Sequence, residues 1–223
     1  MEVEIWSDVL CPFCYIGKRK FEKALQQFGA QDKVRITWKS FQLDPDFQAG
    51  NGGDYRTQLQ NKKGWSDQQI TQMLVHVTHT AQEVGLDFHF EKAVLANSYQ
   101  AHRLLHFAKQ AGKQDNLKEL LLNAHFVAGK DVADMAILLA LAIEAGLEKT
   151  EVESFLATQA LAEAVQQDIY EAHQVGVRGV PFFVFDRKYA VSGAQESSVF
   201  LQALQESFAQ STEGASCEVE GVC

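Results

Sequence analysis

Strand-like sequence is confined to the two ends of the chain, and this distribution constrains the fold more than any other feature. Near the N-terminus, residues 2–7 and 34–43 alternate apolar and polar side chains, and residues 12–28 between them carry apolar side chains at helical spacing. Near the C-terminus, residues 180–185 and 188–192 are strand candidates joined by Asp186 and Arg187, and a last helix follows. Neither end is complete alone, so we expect both to contribute to one sheet.

The middle of the chain is helical. From residue 55 to 175 the apolar spacing predicts five or six helices, with Ser66, Ser98 and Thr150 as N-caps and with Glu153 completing a capping box with Thr150. The order is therefore β-α-β, a helical block, then β-β-α. This order predicts an α/β thioredoxin fold interrupted by a large all-helical insertion.

The same pattern divides the chain into four parts. The predicted parts are the first half of the thioredoxin domain (1–54), the helical insertion (55–175), the second half of the thioredoxin domain (176–210) and a flexible C-terminal tail (211–223).

Charge and hydropathy exclude two classes of partner. The net charge of −9 argues against nucleic acid, because affinity for a phosphate backbone comes from clustered Lys and Arg. The apolar runs are too short to span a membrane, and the N-terminus has neither a basic region nor an apolar core typical of a secretory signal. We therefore expect a cytoplasmic protein with no nucleic-acid or membrane partner.

The four cysteines form two pairs at the extremes of the chain, Cys11 with Cys14 and Cys217 with Cys223. A disulfide framework would spread its bridges through the fold, so this spacing indicates redox or metal chemistry instead. Cys11 precedes a helix that begins at Pro12, where free N–H groups favour a thiolate. We assign Cys11 as the exposed attacking thiolate and Cys14, one turn later, as the resolving thiol.

A zinc site is the alternative for this motif, because two cysteines at this spacing also bind metal. Such a site would need Cys217 and Cys223 as its other ligands. Zinc knuckles usually lie in loops, whereas this pair follows a strand, contains Pro12 and opens an amphipathic helix. The sequence favours redox chemistry with no bound metal.

Pro181 opens the predicted strand in the second half of the domain. A proline there cannot donate to the sheet, and a cis bond after Val180 would leave nearby backbone groups free to pair with a peptide, although a trans bond is also open. Its place in the β-β-α segment favours the cis form. Val180 and Pro181, with Pro12 and Phe13, are the predicted substrate contacts.

Three segments together resemble a known family. They are similar to motifs of the FrnE branch of the DsbA-like thioredoxin-fold oxidoreductases. The segments are Ser7-Asp8 before Cys11-Pro12-Phe13-Cys14-Tyr15, Asn97-Ser98 before Ala101-His102-Arg103-Leu104, and Gly176-Val177 before Gly179-Val180-Pro181-Phe182-Phe183. The resemblance covers residues 3 to about 208. It implies a cis Pro181 facing the dithiol, a helical lid, and disulfide exchange with protein or small-thiol substrates inside the cell.

This chain departs from periplasmic DsbA between its cysteines. Phe13 stands where that protein has a histidine, and a neutral aromatic ring cannot stabilise a thiolate as a cation does. We expect a couple less oxidising than that of DsbA, with no cofactor beyond the redox-active disulfide and with glutathione or a thioredoxin-like protein as candidate reductants. The sequence does not predict an oligomeric state.

Two other functions are open. The related kappa-class glutathione transferases and 2-hydroxychromene-2-carboxylate isomerases look like the same fold but usually carry Ser at the position of Cys11 and lack the second cysteine, so both thiols favour exchange. A peptide-binding module or chaperone would use the same groove without turnover.

Secondary roles are open for several residues. Asp8 would either accept a proton from Cys11 or form a turn at the strand end. His102 and Arg103 match the family pattern and would line the lid or the substrate groove. Cys217 and Cys223 would form a second redox pair that relays electrons, a closed disulfide without a role, or a metal clip.

Overall fold

The computed structural model describes residues 1–48 and 55–217, with residues 211–217 as backbone only. In chain order the elements are β1 (Glu2–Ser7), α1 (Pro12–Phe28), a short 3-10 turn (Gln31–Lys33), β2 (Arg35–Ser40), α2 (Tyr55–Lys63), α3 (Asp67–Gln82), α4 (Tyr99–Gln110), α5 (Gln114–Phe126), α6 (Met135–Glu144), α7 (Lys149–Leu156), α8 (Ala162–Val175), β3 (Phe182–Phe185), β4 (Tyr189–Ser192) and α9 (Ser197–Cys217).

One four-stranded sheet joins the two ends of the chain, as the sequence predicts. Its strand order is β2-β1-β3-β4, with β1 parallel to β2 and β3 antiparallel to both β1 and β4. Ile5 of β1 pairs with Trp38 on one side and with Phe183 on the other. This is the thioredoxin fold, with α2 to α8 inserted between its halves.

Helices cover both faces of this sheet. On one face Phe21 of α1 lies 5.5 Å from Phe183 and 5.8 Å from Phe200 between ring centroids, and all three rings are buried. Burial of each ring contributes about 1.5 to 3 kcal/mol to stability. On the other face the indole N–H of Trp6 donates to the carbonyl of Asp168 in α8 at 2.9 Å. The insertion therefore packs directly on the sheet.

Helix α1 begins and ends as expected. Cys11 is its N-cap, Pro12 is its first residue, and Gly29 ends it in the left-handed region at φ 74°. Helix α9 lies along α1 and runs in the same direction, since Phe21 contacts Phe200 and Phe28 contacts Phe208. The end of α9 therefore points away from Cys11.

The C-terminal hairpin turns at Asp186 and Arg187, the predicted residues. Both have positive φ, 46° and 55°, as a two-residue type I′ turn requires. The amide of Lys188 closes the turn by donating to the carbonyl of Phe185 at 2.9 Å.

The predicted number of helices and several predicted element ends are wrong. The insertion holds seven helices between residues 55 and 175, where five or six were expected. Strand β2 ends at Ser40 because the chain turns so that the Leu43 amide donates to Asp8 Oδ2 at 2.8 Å. Helix α9 continues past the expected end near Gln210 to Cys217.

The predicted caps have mixed outcomes. Ser66 caps α3 in a capping box with Gln69. Ser98 is the N-cap of α4, but its side chain makes no capping bond. Thr150 is not a cap, because α7 begins at Lys149 after an extended Glu148 and so places Thr150 inside the first turn.

The segment between β1 and α1 is held by the insertion. Val9 is fully buried in a cluster formed mainly by leucines and alanines of α4 to α6, with Val152 and Phe155 of α7, and Leu10 packs against the same cluster. The residues that precede Cys11 are therefore fixed by the helical insertion as well as by the sheet.

The side chain of Gln114 forms hydrogen bonds with the backbone of the edge strand β2. The Trp38 amide donates to Gln114 Oε1 at 3.1 Å, and Gln114 Nε2 donates to the Trp38 carbonyl at 2.9 Å. Gln114 is 7% exposed, so water cannot readily replace these bonds. The side-chain amide therefore pairs with the Trp38 backbone as a neighbouring strand would, and it links α5 to β2.

We expect Gln114→Leu to lower the free energy of unfolding by about 2 kcal/mol or more, because it leaves two buried backbone groups unpaired. Urea denaturation measures the change. Gln110→Leu, at an exposed position of α4, is the matched control and should stay within about 0.5 kcal/mol of wild type. Equal stabilities for the two variants would contradict the role given to Gln114.

Candidate active site

Cys11 and Cys14 lie one helical turn apart at the start of α1, and both are free thiols. The Cys14 amide donates to the Cys11 carbonyl at 3.0 Å, and the Cys11 amide donates to the Asp8 carbonyl at 3.3 Å. These bonds fix the turn that presents both sulfurs on one side of the helix.

Cys11 is not exposed, contrary to expectation. Its exposed fraction is 4%, and that of Cys14 is 0%, whereas Phe13 between them is 39% exposed. Tyr55 of α2 lies close enough that the charge of Cys11, added to burial, raises the pKa of its phenol. The insertion therefore shields the dithiol from solvent.

The Val180-Pro181 bond is cis, as predicted, and Val180 contacts the dithiol. Cys11 Sγ donates to the Val180 carbonyl at 3.4 Å. The helix with the cysteines and the loop before β3 thus meet at Cys11. Pro12 and Phe13 lie beside this contact in the first turn of α1, so the predicted substrate contacts share one neighbourhood.

Gly17 allows α1 to approach Pro181 closely. A Cβ atom added at Gly17 would lie 2.9 Å from Pro181 Cγ and 3.5 Å from Ala194 Cβ. The proline ring is part of the backbone and cannot rotate away. Glycine is therefore the residue that fits here.

The two thiols are close enough to change each other's pKa. A hydrogen bond to Cys14, burial and the charge of Cys14 raise the pKa of the Cys11 thiol well above its usual value. Burial acts to raise the pKa of Cys14 too, but a hydrogen bond from Cys11, the Lys118 ammonium and the Ser7 hydroxyl lower it overall. The hydrogen bond to Cys14 and burial therefore oppose the lowering of the Cys11 pKa that was expected from the helix N-terminus.

Asp8 lies beneath the dithiol in a hydrogen-bonded network. Its carboxylate accepts from the amides of Leu10 at 3.3 Å and Leu43 at 2.8 Å, and lies 3.4 Å from His102 Nε2. Burial acts to raise its pKa, but His102, the Leu43 amide and the Ser98 hydroxyl lower it overall. The predicted turn role of Asp8 is therefore present, and His102 supports this carboxylate.

Arg103 serves packing within the insertion. Its guanidinium donates to the carbonyls of Ala160 at 2.9 Å and Thr158 at 2.7 Å, and it lies 5.0 Å from the centroid of the Phe155 ring. A third donor binds Gln100 Oε1 of α4 at 2.6 Å, so these contacts lie within the insertion, and the role of Arg103 in the lid or the substrate groove stays a prediction.

Two residues near the dithiol were not predicted, Lys118 and His125 of α5. Both are 1% exposed. Burial lowers the pKa of Lys118 to about 8 and that of His125 to about 4. The available signal was a lysine and a histidine among the leucines of an otherwise apolar helical face.

A cavity of about 380 Å³ lies beside this site. Leu10, Leu43, Tyr55 and His125 contribute to its wall. The two ring nitrogens of His125 have no hydrogen-bond partner among the residues that the structure describes. The cavity has room for a small molecule next to the residue that precedes Cys11.

The second cysteine pair cannot be placed at the site. Cys223 and the side chain of Cys217 lie outside the described residues, and the three roles predicted for them stay open. Among the described residues, no group of three His, Cys, Asp or Glu side chains is arranged to hold a metal ion. Over the same part of the chain, no helix combines the length and apolarity needed to cross a bilayer.

We expect Gly17→Ala to displace Pro181, to lower stability by about 1 kcal/mol and to increase the rate at which Cys11 is alkylated, because the thiol loses the Val180 carbonyl. Mass spectrometry of iodoacetamide adducts follows the rate. In Gly179→Ala the added Cβ has no atom within 4 Å, so this neighbour is the matched control. Unchanged alkylation in Gly17→Ala would contradict the close fit.

The pKa of His125 predicts a loss of stability in mild acid. The unfolded imidazole binds a proton near its ordinary pKa of 6.5, whereas the folded one does so only near 4. Stability present above pH 6.5 should therefore fall by about 3 kcal/mol as the pH drops to 4. His125→Leu should lose about that much less over the same range in urea titrations. Equal losses in both proteins would show that His125 does not drive the transition.

Comparison with known proteins identifies the family. Residues 2–205 match the model of the DSBA-like thioredoxin domain. A crystal structure of SCO1869 from Streptomyces coelicolor, a probable DsbA oxidoreductase, shares 40% identity at a TM-score of 0.88, covering 94% of this chain and 90% of its own.

More distant structures share the fold. A 2-hydroxychromene-2-carboxylate isomerase is 19% identical at a TM-score of 0.69, and the cytosolic disulfide reductase DsbM from Pseudomonas aeruginosa is 18% identical at 0.63. In both cases the match covers 96% of this chain and 98% of the other. With its sheet order, its inserted helices and the match over residues 2–205, the chain belongs to the family of DsbA-like thioredoxin domains.

Proposed function

We propose that the protein is a thiol-disulfide oxidoreductase that exchanges disulfides with protein or small-thiol substrates through Cys11 and Cys14. The observation that carries this proposal is the placement of two reduced thiols one turn apart, with Cys11 Sγ 3.4 Å from the Val180 carbonyl. A substrate sulfur that reaches Cys11 would lie beside backbone groups able to bind the flanking peptide.

The reaction needs no group beyond the two cysteines. Cys11 attacks a substrate disulfide and forms a mixed disulfide, and the thiol proton of Cys11 passes to the substrate thiolate that leaves. Cys14 then attacks Cys11 Sγ, so that a Cys11–Cys14 disulfide forms and the second substrate thiolate leaves. Two electrons pass from the dithiol to the substrate. Glutathione or a thioredoxin-like protein would regenerate the dithiol in a cytoplasmic reductive cycle.

Burial of Cys11 implies that substrate binding moves the insertion. Tyr55 lies on α2, directly after the undescribed residues 49–54, and packs against Phe90 at 5.3 Å between ring centroids. A polypeptide substrate would need to displace side chains such as Tyr55, whereas a small thiol would need less room. We therefore propose that the insertion limits which disulfides reach Cys11.

A glutathione-dependent isomerase or transferase is the second candidate. The cavity beside Leu10 favours this candidate, because a small organic substrate would fit there next to a glutathione molecule bound at Cys11. Such chemistry would not require Cys14. Cys14→Ser should therefore retain isomerase turnover but lose disulfide exchange, and this separates the two candidates.

Cys14→Ala should trap substrates, since Cys11 can no longer be released from its mixed disulfides. Expressed in cells, this variant should accumulate adducts that reducing agents release and mass spectrometry identifies. The double variant Cys11→Ser/Cys14→Ala is the control and should capture nothing. In purified protein, Cys11→Ser should lower the rate of insulin disulfide reduction by about 100-fold or more.

An absence of adducts together with an unchanged insulin rate in Cys11→Ser would overturn the proposed function. Peptide binding that survives in Cys11→Ser without any turnover in wild type would indicate a binding module instead.

A further inference from the structure

Asp8 is a buried carboxylate that does more than form a turn. It is 0% exposed, and its Oδ1 accepts from the Leu10 amide two residues later at 3.3 Å. A serine or an asparagine could form the same local turn without burying a charge. Asp8 Oδ2 accepts from the amide of Leu43, 35 residues away, at 2.8 Å. The second bond and the buried charge therefore need a reason beyond the turn.

An aspartate fits between these two amides because both of its oxygens accept hydrogen bonds. An asparagine of the same shape would place an NH2 donor against one of the two N–H groups, so it could keep only one of the bonds. His102 Nε2 of α4, 3.4 Å from Asp8 Oδ1, adds a third contact. The carboxylate therefore fixes the segment that leads to Cys11 against the loop that follows β2.

The loop after β2 is also held by the insertion. Asn97 Nδ2 donates to the carbonyls of Pro45 at 3.0 Å and of Phe47 at 3.1 Å. These bonds and the bond to Asp8 fix the backbone around Leu43, whereas the Leu43 side chain is 50% exposed. The structure thus presents an exposed leucine on a backbone that is held from both halves of the fold.

Leu10 and Leu43 both line the cavity of about 380 Å³ beside the dithiol. The apolar side chains that the insertion adds to this lining are Leu59, Leu95 and Ala96. The cavity has room for one leucine or phenylalanine side chain. Because Leu10 directly precedes Cys11, a side chain in this cavity would lie beside a substrate sulfur joined to Cys11.

The charges around the cavity favour an uncharged occupant. Asp44, a carboxylate of the lining, pairs with the Lys62 ammonium and accepts from Gln58 Nε2 at 3.1 Å. Lys63 is exposed, so water and salt screen its charge. His125 is neutral at neutral pH, because burial lowers its pKa to about 4. An apolar side chain therefore suits the cavity better than an acidic or a basic one.

We propose that Asp8 is a positioning residue of the exchange reaction, which holds Leu10 and Leu43 as one wall of the cavity, and that the cavity selects disulfides with a large apolar side chain near the reacting cysteine. This inference rests on the proposed exchange reaction and names the class of its substrates. In an extended peptide, side chains two residues apart point to the same side at a spacing of about 7 Å. The selected side chain would therefore lie two residues from the cysteine.

The cavity acts on binding and takes no part in the bond changes. Cys11 attacks the peptide sulfur of the disulfide, and the other sulfur leaves with the electron pair of the broken bond and with the Cys11 proton. Cys14 then attacks Cys11 Sγ, so that the Cys11–Cys14 disulfide forms and the peptide leaves as a thiol with the Cys14 proton. An apolar side chain in the cavity should speed the first attack, because it holds the peptide at Cys11.

Peptides that differ only beside the disulfide test this selection. The probe is acetyl-Leu-Gly-Cys-Gly-Leu-amide with a nitrothiobenzoate group on its cysteine, and matched peptides carry Ser or Asp in place of both leucines. The absorbance of released nitrothiobenzoate gives the rate constant of the reduced protein, which is divided by that of glutathione with the same peptide. Wild type should react about tenfold faster with the leucine peptide than with the serine or aspartate peptide.

Two variants test the wall of the cavity. Asp8→Asn should lower the tenfold preference to about threefold or less, because one of the two leucine amides loses its acceptor. Leu43→Ser should do the same and should retain the fold if Asp8→Asn does not, since the Leu43 side chain is half exposed. Ile143→Ser, at a position of α6 that is 42% exposed and outside the cavity lining, is the matched control and should keep the tenfold preference. A purely structural role would change all three peptide rates by the same factor.

Equal rates of wild type with the leucine and serine peptides would overturn the inference. Full preference in folded Asp8→Asn and Leu43→Ser proteins would also overturn it, as would an equal loss of preference in Ile143→Ser.

Binding separates this inference from the proposed function. Titration calorimetry of the Cys11→Ser/Cys14→Ala protein with the S-methylated peptides should show the same tenfold preference for leucine without any exchange. If that preference is found while wild type releases no nitrothiobenzoate, the exchange reaction is rejected and the cavity keeps its selectivity. If exchange proceeds without preference in either measurement, the proposed function stands and the role of Asp8 and Leu43 is rejected.

Discussion

Strand β1 is hydrogen-bonded on both sides, and these two ladders bring the cysteines to Val180. On one side β1 runs parallel to β2, and on the other it pairs antiparallel with β3 from the far end of the chain. Because β1 ends at Ser7 and β3 begins at Phe182, the segment with Cys11 and the loop with Val180 leave the sheet at the same end of these two strands. The contact of Cys11 Sγ with the Val180 carbonyl follows from this register.

The helical insertion does more than cover the sheet. Its core holds Val9, its helix α5 pairs with β2 through Gln114, and the same helix brings the buried Lys118 ammonium to 5.4 Å from the centroid of the Trp38 ring. An insertion that is attached to the sheet at these points can shield the dithiol from solvent. The exchange reaction proposed for the thioredoxin domain therefore depends on side chains of the helical insertion.

Local patterns predicted the architecture well because they act over a few residues. The helix start at Pro12, its end at Gly29 and the hairpin turn at Asp186 and Arg187 each depend on the backbone preference of the residues themselves. The prediction that Thr150 caps α7 shows the limit of such patterns, since Glu148, which has an extended backbone, is the N-cap instead.

The charge of the site was less predictable because it depends on packing between distant segments. The helix terminus suggested an exposed, acidic Cys11, but the insertion buries this thiol, and a hydrogen bond to Cys14 together with burial raises its pKa. Arg103 was expected in the lid or the substrate groove from its place in a motif, and its guanidinium binds carbonyls of the segment that follows α7. Side-chain direction in such cases follows the crossing of helices, which one sequence does not reveal.

The central claim is that Cys11 and Cys14 form a reversible two-electron couple. Equilibrating the wild-type protein over a series of glutathione redox buffers, alkylating the free thiols and mapping the peptides measures this directly. The account predicts that both thiols become protected together, with a two-electron dependence on the buffer potential. Cys11 and Cys14 that stay alkylatable at every potential, or that become protected independently, would contradict it.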